Sequence, residues 1–188
     1  IVLEALDSLD AQSYRGWEVI VANDTGRPLP LLPPWVRVVE TEGGRGVAAA
    51  RNAGLRIARG TYFLPLDADD LLQPDALQWL LSAAEMHPGE IIYPDFFEDP
   101  ETPGSFKVYE TPDYHPEILV RRGAIHPVTA LTPLAVWEAV GGYDERLPCW
   151  EDWAFALAAV EKGFCSRRLR APLFTTGSGR VRAARRTR

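Results

Sequence analysis

Short apolar runs of strand length alternate with helical segments through the first half of the chain, and this alternation restricts the fold more than any other feature. Trp17-Glu18-Val19-Ile20-Val21-Ala22 reads as a buried strand, stopped by the turn formers Asn23-Asp24-Thr25-Gly26. A proline-rich connection leads to a second short strand at Val36-Arg37-Val38-Val39. The loop Gly43-Gly44-Arg45-Gly46 opens an Ala-rich helix predicted over 47–58 and ended by Gly60. Thr61-Tyr62-Phe63-Leu64-Pro65-Leu66 is the next strand, with Pro65 where no ladder bond is required. A helix over 74–86, with Pro74 in its first turn, and a strand at Ile91-Ile92-Tyr93 continue the series. Ahead of it, Val2, Leu6 and Leu9, with Leu3, share one helical face. The succession predicts an α/β fold, Rossmann-related, with a mostly parallel sheet flanked by helices.

From Phe97 to Pro127 the sequence is rich in Pro, Gly and charge and has weak periodicity, which predicts a long irregular segment of the kind that forms lids and binding loops. A helix is expected over 133–140, before Gly141-Gly142-Tyr143-Asp144, and a last one over 153–161, stopped by Gly163. The chain has 188 residues, enough for one domain with a sizeable core, and 46% of them are hydrophobic, which excludes a disordered chain. No run approaches 18 apolar residues, so no transmembrane helix is expected. Cys149 and Cys165 cannot build a disulfide framework or a zinc site of four, and a reducing, cytoplasmic compartment is expected. The only methionine is Met86, so Ile1 is not read as a translation start, and no signal peptide is visible.

Charge is uneven. Arg180, Arg182, Arg185, Arg186 and Arg188 crowd the end, and removing those five from the 20 basic residues leaves 15 against 26 acidic ones, a formal −11 over 1–179. A body that acidic repels phosphates, so nucleic acid is not an expected partner. One domain over 1–179 and a disordered Arg-rich tail over 180–188 follow, the tail being a solvated end or a peripheral contact with anionic lipid at the cytoplasmic face of a membrane.

In parallel α/β sheets ligands bind beyond the carboxyl ends of strands. Two predicted strands end there in carboxylates: one at Asp24, the other at Asp67-Ala68-Asp69-Asp70. Acidic groups so close repel one another unless a cation or solvent separates them. Hard divalent ions such as Mn²⁺ or Mg²⁺ take one or two carboxylates together with substrate phosphates and water. Helix capping by Asp69 and Asp70 is the competing reading, and spacing leaves both open. The same two readings hold for Cys149-Trp150-Glu151-Asp152-Trp153: caps at a helix start, or an acid tuned for proton transfer between indoles that stack on sugar rings. Gly43-Gly44-Arg45-Gly46 fits neither a dinucleotide nor a P-loop fingerprint. His87, His115 and His126 read as solvated or structural, and Cys149 has no histidine partner in sequence.

Taken in order, these pieces resemble family 2 glycosyltransferases of the GT-A fold. Gln12-Ser13-Tyr14 with Trp17-Glu18-Val19-Ile20-Val21 is similar to the family's "Q-x-Y-x-x-W-E" opening, and Asn23-Asp24-Thr25-Gly26 stands where the family has "D-D-G-S". Ala50-Arg51-Asn52-Ala53-Gly54 resembles "A-R-N-x-G", and Leu66-Asp67-Ala68-Asp69-Asp70 matches "L-D-x-D-D". Gly141-Gly142-Tyr143-Asp144-Glu145, then Glu151-Asp152-Trp153, corresponds to "G-G-F-D-E…E-D-W". The family's first strand and its late histidine have no counterpart, so the domain is expected to be N-terminally incomplete.

The resemblance implies an inverting transfer of a sugar from a nucleotide-diphosphate donor, a UDP-sugar foremost, to a saccharide, lipid-linked or protein acceptor, as in cell-surface polysaccharide synthesis. It implies that Asp24, Arg51 and Asp67 hold the nucleotide, and that Asp69 with Asp67 ligates Mn²⁺ or Mg²⁺. Asp152 would be the general base with Glu151 beside it; Gly141, Gly142, Trp150 and Trp153 would meet the sugars. A sugar-nucleotide nucleotidyltransferase and a non-catalytic nucleotide-sugar-binding module are the alternatives, and the oligomeric state is left open.

Overall fold

Apolar β-branched runs make the strands and Ala/Leu-rich segments the helices of a computed structural model that describes residues 1–98, 107–122 and 127–177. In chain order these are α1 Val2–Asp10, β1 Val19–Asn23, β2 Val36–Glu40, α2 Val47–Leu55, β3 Tyr62–Phe63, β4 Leu71–Leu72 and α3 Ala76–Met86. There follow β5 Ile91–Glu98, β6 Lys107–Tyr109, α4 Pro116–Arg122, β7 Thr132–Pro133, α5 Leu134–Val140, α6 Glu151–Glu161 and β8 Ser166–Thr176.

Most registered pairs lie in two parallel ladders, β1 with β2 and β5 with β8. The short antiparallel pairings β3–β7, β4–β8 and β5–β6 make the sheet system mixed. Strand β5 lies inside the four-stranded sheet β4–β8–β5–β6, between β8 and β6. Alternation along a strand sends successive side chains to opposite faces. Ile91 and Tyr93 therefore enter a core with Leu119 of α4, Val136 of α5 and Phe155 of α6. Ile92 enters another with Leu80 of α3 and Phe174 of β8. Helices thus cover both faces, as the sequence predicts.

Several expectations are corrected. The strand expected over 61–66 is paired only at Tyr62–Phe63, because Pro65 has no N–H to offer a ladder; Leu64 and Leu66 still pack into the core around Leu80. The helix from Val47 ends at Leu55 rather than near Ala58, and Leu3 is exposed, Ala5 and Leu6 forming the buried face of α1. The segment from Phe97 to Pro127 is not irregular throughout: it holds β6 and α4. Strand β8, expected from nothing in the pattern, is 11 residues long. His126 and the Arg-rich tail lie outside the described residues. Among the described residues, no helix is long and apolar enough to cross a membrane.

Two motif residues prove to be braces. Gln12 is fully buried at the end of α1, where its amide donates to Gln73 O at 2.7 Å and its carbonyl accepts from Leu77 N–H at 3.0 Å, supplying a first-turn partner for α3. Glu18 accepts from Arg59 N–H and from Arg37 Nη1, both at 2.6 Å, and so fastens the turn after α2 and the neighbouring strand to the start of β1.

Candidate active site

Two acidic segments far apart in sequence meet through one arginine. Arg51, on α2, donates from Nη1 to Glu151 Oε1 at 2.7 Å and from Nη2 to Asp67 Oδ1 at 3.1 Å. Its guanidinium carbon lies 5.5 Å from the centroid of the Tyr143 ring, a cation–π contact. Burial works against the charge, but the carboxylates of Asp67 and Glu151 hold the Arg51 pKa above its ordinary value. Both forks of the guanidinium are therefore engaged within the protein. Glu151 is 7% exposed and lies in the first turn of α6, whereas Asp152 beside it is half-buried.

Asp152, in the first turn of α6, accepts from the adjacent Trp153 N–H at 2.7 Å through Oδ1. It also opens on a cavity of about 20 Å³ lined by Tyr143, Thr132, Trp153 and Phe155, room for one water-sized group. Trp153 donates its indole N–H to Leu119 O at 2.9 Å and packs in the core with Phe155, which makes it a strut between α6 and α4 with one edge on the cavity. Trp150 differs: it is 62% exposed, and its φ of 64° is the only positive one on a non-glycine residue among those described.

Past β3 the chain turns, Asp70 N–H donating to Asp67 O at 3.0 Å. Asp70 is buried and accepts from Gly177 N–H at 3.0 Å; burial, with the charges of Asp67 and Asp69 adding to it, pushes its pKa up to about 6. A Cβ at Gly177 would stand 2.1 Å from Asp69 O, so only glycine lets the end of β8 pass the acidic loop. Among the described residues, no group of three or more His, Cys, Asp or Glu stands ready to hold a metal alone. Asp67 and Asp69 offer the one or two carboxylates that Mg²⁺ or Mn²⁺ takes when a diphosphate and water complete the shell.

Asp24 organises the glycine loop. Its carboxylate accepts from the Thr41 hydroxyl, from Arg45 N–H at 3.1 Å and from Gly46 N–H at 2.7 Å. The Thr41 bond first, and the two backbone donors after it, hold its pKa below the ordinary value. Asn23, where the family has an acid, is buried and builds the turn by accepting from Thr25.

The glycine pair has an internal reason. Gly141 ends α5 in the left-handed conformation, and Gly142 N–H donates back to Trp137 O at 2.9 Å. At Gly142, φ is 88°, and an added Cβ would lie 2.8 Å from Asn52 Oδ1. Within the protein, the close approach at Gly142 is to Asn52. Asn52 went unassigned in the sequence reading, yet it is buried and joins the two motifs: Oδ1 accepts from Tyr143 N–H at 2.9 Å and Trp137 Nε1 at 3.0 Å, and Nδ2 donates to Tyr143 O at 2.8 Å. An asparagine inside an Ala-rich helix, where it is a poor helix former, was the signal available.

Comparison with known proteins agrees with this architecture. Residues 1–130 match the model of glycosyl transferase family 2. An uncharacterized protein y4gI of Sinorhizobium fredii is 32% identical over 86% of this chain, and an uncharacterized glycosyltransferase of Rickettsia bellii is 30% identical over 80%. The chain spans only 19% and 24% of the lengths of those two relatives. Crystal structures of S. aureus TarS residues 1–349, in complex with UDP and with UDP-GlcNAc, superpose with TM-scores of 0.75 and 0.74 at 18% identity. They cover 93% of this chain and 56% and 54% of the TarS chains, so the GT-A-like fold expected from the sequence is present. With the matched stretch running from α1 through the Asp67–Asp70 loop to the residues before β7, the chain belongs to glycosyl transferase family 2.

Proposed function

We propose that the protein moves a glycosyl group from a nucleotide-diphosphate sugar, a UDP-sugar foremost, to an acceptor hydroxyl with inversion at the anomeric carbon. The observation that carries this reading is the Asp67–Arg51–Glu151 bridge, which brings a strand-exit acid loop against a helix-start acid pair. The UDP and UDP-GlcNAc complexes of TarS, at the level of the shared fold, support a nucleotide-sugar as the donor.

Each group has a task that its surroundings suit. Asp152 is the half-buried acid on the cavity, so it takes the proton from the acceptor hydroxyl as that oxygen attacks. Glu151, buried and paired, stays with Arg51 and fixes the start of α6. Asp67 and Asp69 would hold Mn²⁺ or Mg²⁺, which would supply positive charge against a departing diphosphate. Asp24 holds the Gly43–Gly46 loop that leads into α2 and faces the nucleotide side of the site. With one base and no enzyme nucleophile, a single displacement inverts the centre, by the same logic as one-step glycoside hydrolysis.

The test is release of UDP from UDP-sugars in Mn²⁺, with NMR of the product anomer. Asp152→Asn and Asp69→Ala are each expected to abolish turnover, Asp152→Asn with UDP binding retained. Product formation unchanged in both variants would reject the catalytic assignment of Asp152 and Asp69, and UDP binding without turnover in the wild type would leave a binding module.

A further inference from the structure

Trp150 combines three properties that packing does not require together. Its backbone is left-handed, a conformation that is strained for a bulky side chain and that glycine adopts freely. Its indole is 62% exposed, touching Trp153 edge-on at 6.3 Å between centroids, so burial does not offset that strain. It directly precedes Glu151 and Asp152, at the start of the helix that carries the proposed base. An outlier held at such a place points to function rather than to folding.

The ligand follows from the geometry. The cavity that Asp152 lines, about 20 Å³, holds no more than a water-sized group, so a sugar ring brought to Asp152 lies outside it, and Trp150 is the exposed aromatic residue two positions before that carboxylate. An indole face offers flat apolar area with few rotatable bonds, which suits the apolar C–H face of a pyranose. The carboxylates assigned to the donor, Asp67 and Asp69, belong to the loop after β3 and not to this helix. We propose that Trp150 is an acceptor platform: the left-handed turn presents its indole to a pyranose ring whose hydroxyl is thereby brought to Asp152. This rests on the glycosyl-transfer reading above and adds the class of acceptor, a sugar that presents an apolar ring face.

The protein contains six tryptophans, so incorporation of 5-fluorotryptophan gives a ¹⁹F resonance for each, and Trp150→Gly identifies the one at 150. With UDP and Mn²⁺ present, methyl β-D-glucopyranoside, methyl β-D-galactopyranoside and methyl N-acetyl-β-D-glucosaminide are titrated at millimolar concentration against sorbitol. At least one pyranoside is expected to move the Trp150 resonance saturably, and sorbitol is not. Silence with all three, or an equal shift with sorbitol, overturns the proposal. Trp150→Gly, freed of the strained backbone, is expected to melt at or above the wild-type temperature; a lower Tm would mean that the indole is kept for packing and would overturn it too. UDP raising Tm while Trp150 stays silent rejects the platform alone, whereas UDP without effect rejects the transferase reading and the platform with it.

Discussion

Arg51 Nη1 and Glu151 Oε1 are 2.7 Å apart with both side chains almost out of solvent, and Arg51 has its other fork on Asp67. The helix that carries the proposed base is thereby fixed to the loop that carries the proposed metal ligands. Removing the arginine leaves a buried carboxylate without a partner, so Arg51→Met is expected to cost about 3–5 kcal/mol in urea denaturation. Arg51→Lys keeps the charge but loses the fork that serves two carboxylates at once. It is expected to fold, with kcat reduced far more than the affinity for UDP. A Lys variant with wild-type kcat would show that the bridge is not needed for catalysis.

Gly141 and Gly142 share a left-handed backbone and differ in what surrounds them. A Cβ at Gly141 meets nothing within 4 Å, and one at Gly142 meets Asn52 Oδ1 at 2.8 Å and Trp137 Nε1 at 3.2 Å. Gly141→Ala is expected to cost about 1 kcal/mol from backbone strain. Gly142→Ala adds displacement of the Asn52 hydrogen bonds and is expected to cost roughly 2–4 kcal/mol. Thermal melts of the two variants check the order, and equal losses would contradict the Asn52 account.

Strand β1 and the start of β5 were legible in the sequence because they are runs of Val, Ile and aromatic residues, as at Val19–Val21 and Ile91–Tyr93. Strand β8 was not, because Arg167, Arg168 and Arg170 break its apolar pattern. Their partners come from elsewhere: Glu90 just before β5 takes Arg167, Asp95 within it takes Arg168, and Asp113 takes Arg170. The candidate site was legible one motif at a time, since acids at strand and helix ends have a chemical reading by themselves. The link between them was not. Arg51 stands 100 residues from Glu151, and nothing local to either says that its guanidinium is held between two carboxylates. The constraints on Asn52, Gly142 and Gly177 are hidden for the same reason: they come from segments that only the fold brings near.

Asp95 gives a pH prediction with a definite sign. Burial works to raise its pKa, but a bidentate pair with Arg168 at 2.8 and 2.9 Å and two bonds from Thr111 hold it below the ordinary 3.8. A carboxylate depressed in the folded state contributes stability above its unfolded pKa, and loses it as pH falls through the folded one. That contribution is therefore complete at neutral pH and disappears below about pH 4. Asp95→Asn, which leaves Arg168 buried without its bidentate partner, is expected to cost about 3–5 kcal/mol at pH 7. The gap from wild type should narrow as pH falls from 4 to 2, as followed by circular dichroism. A gap independent of pH would mean that Asp95 is not the titrating group.

Asp67 and Asp69 stand without a third acidic, histidine or cysteine ligand among the described residues. A divalent ion is accordingly expected to bind weakly to the protein alone and well only with a diphosphate completing its shell. Mn²⁺ alone should leave Tm within about 1 °C, while UDP and Mn²⁺ together, at about 100-fold over the dissociation constant, should stabilise by roughly 2.7 kcal/mol, a rise of several degrees. EDTA should remove that rise, and Asp69→Asn should remove it without lowering the Tm of the ligand-free protein. A UDP-induced rise that survives EDTA would show that the diphosphate is held by protein groups without a metal. An equal rise from Mn²⁺ alone would place further ligands around Asp67 and Asp69.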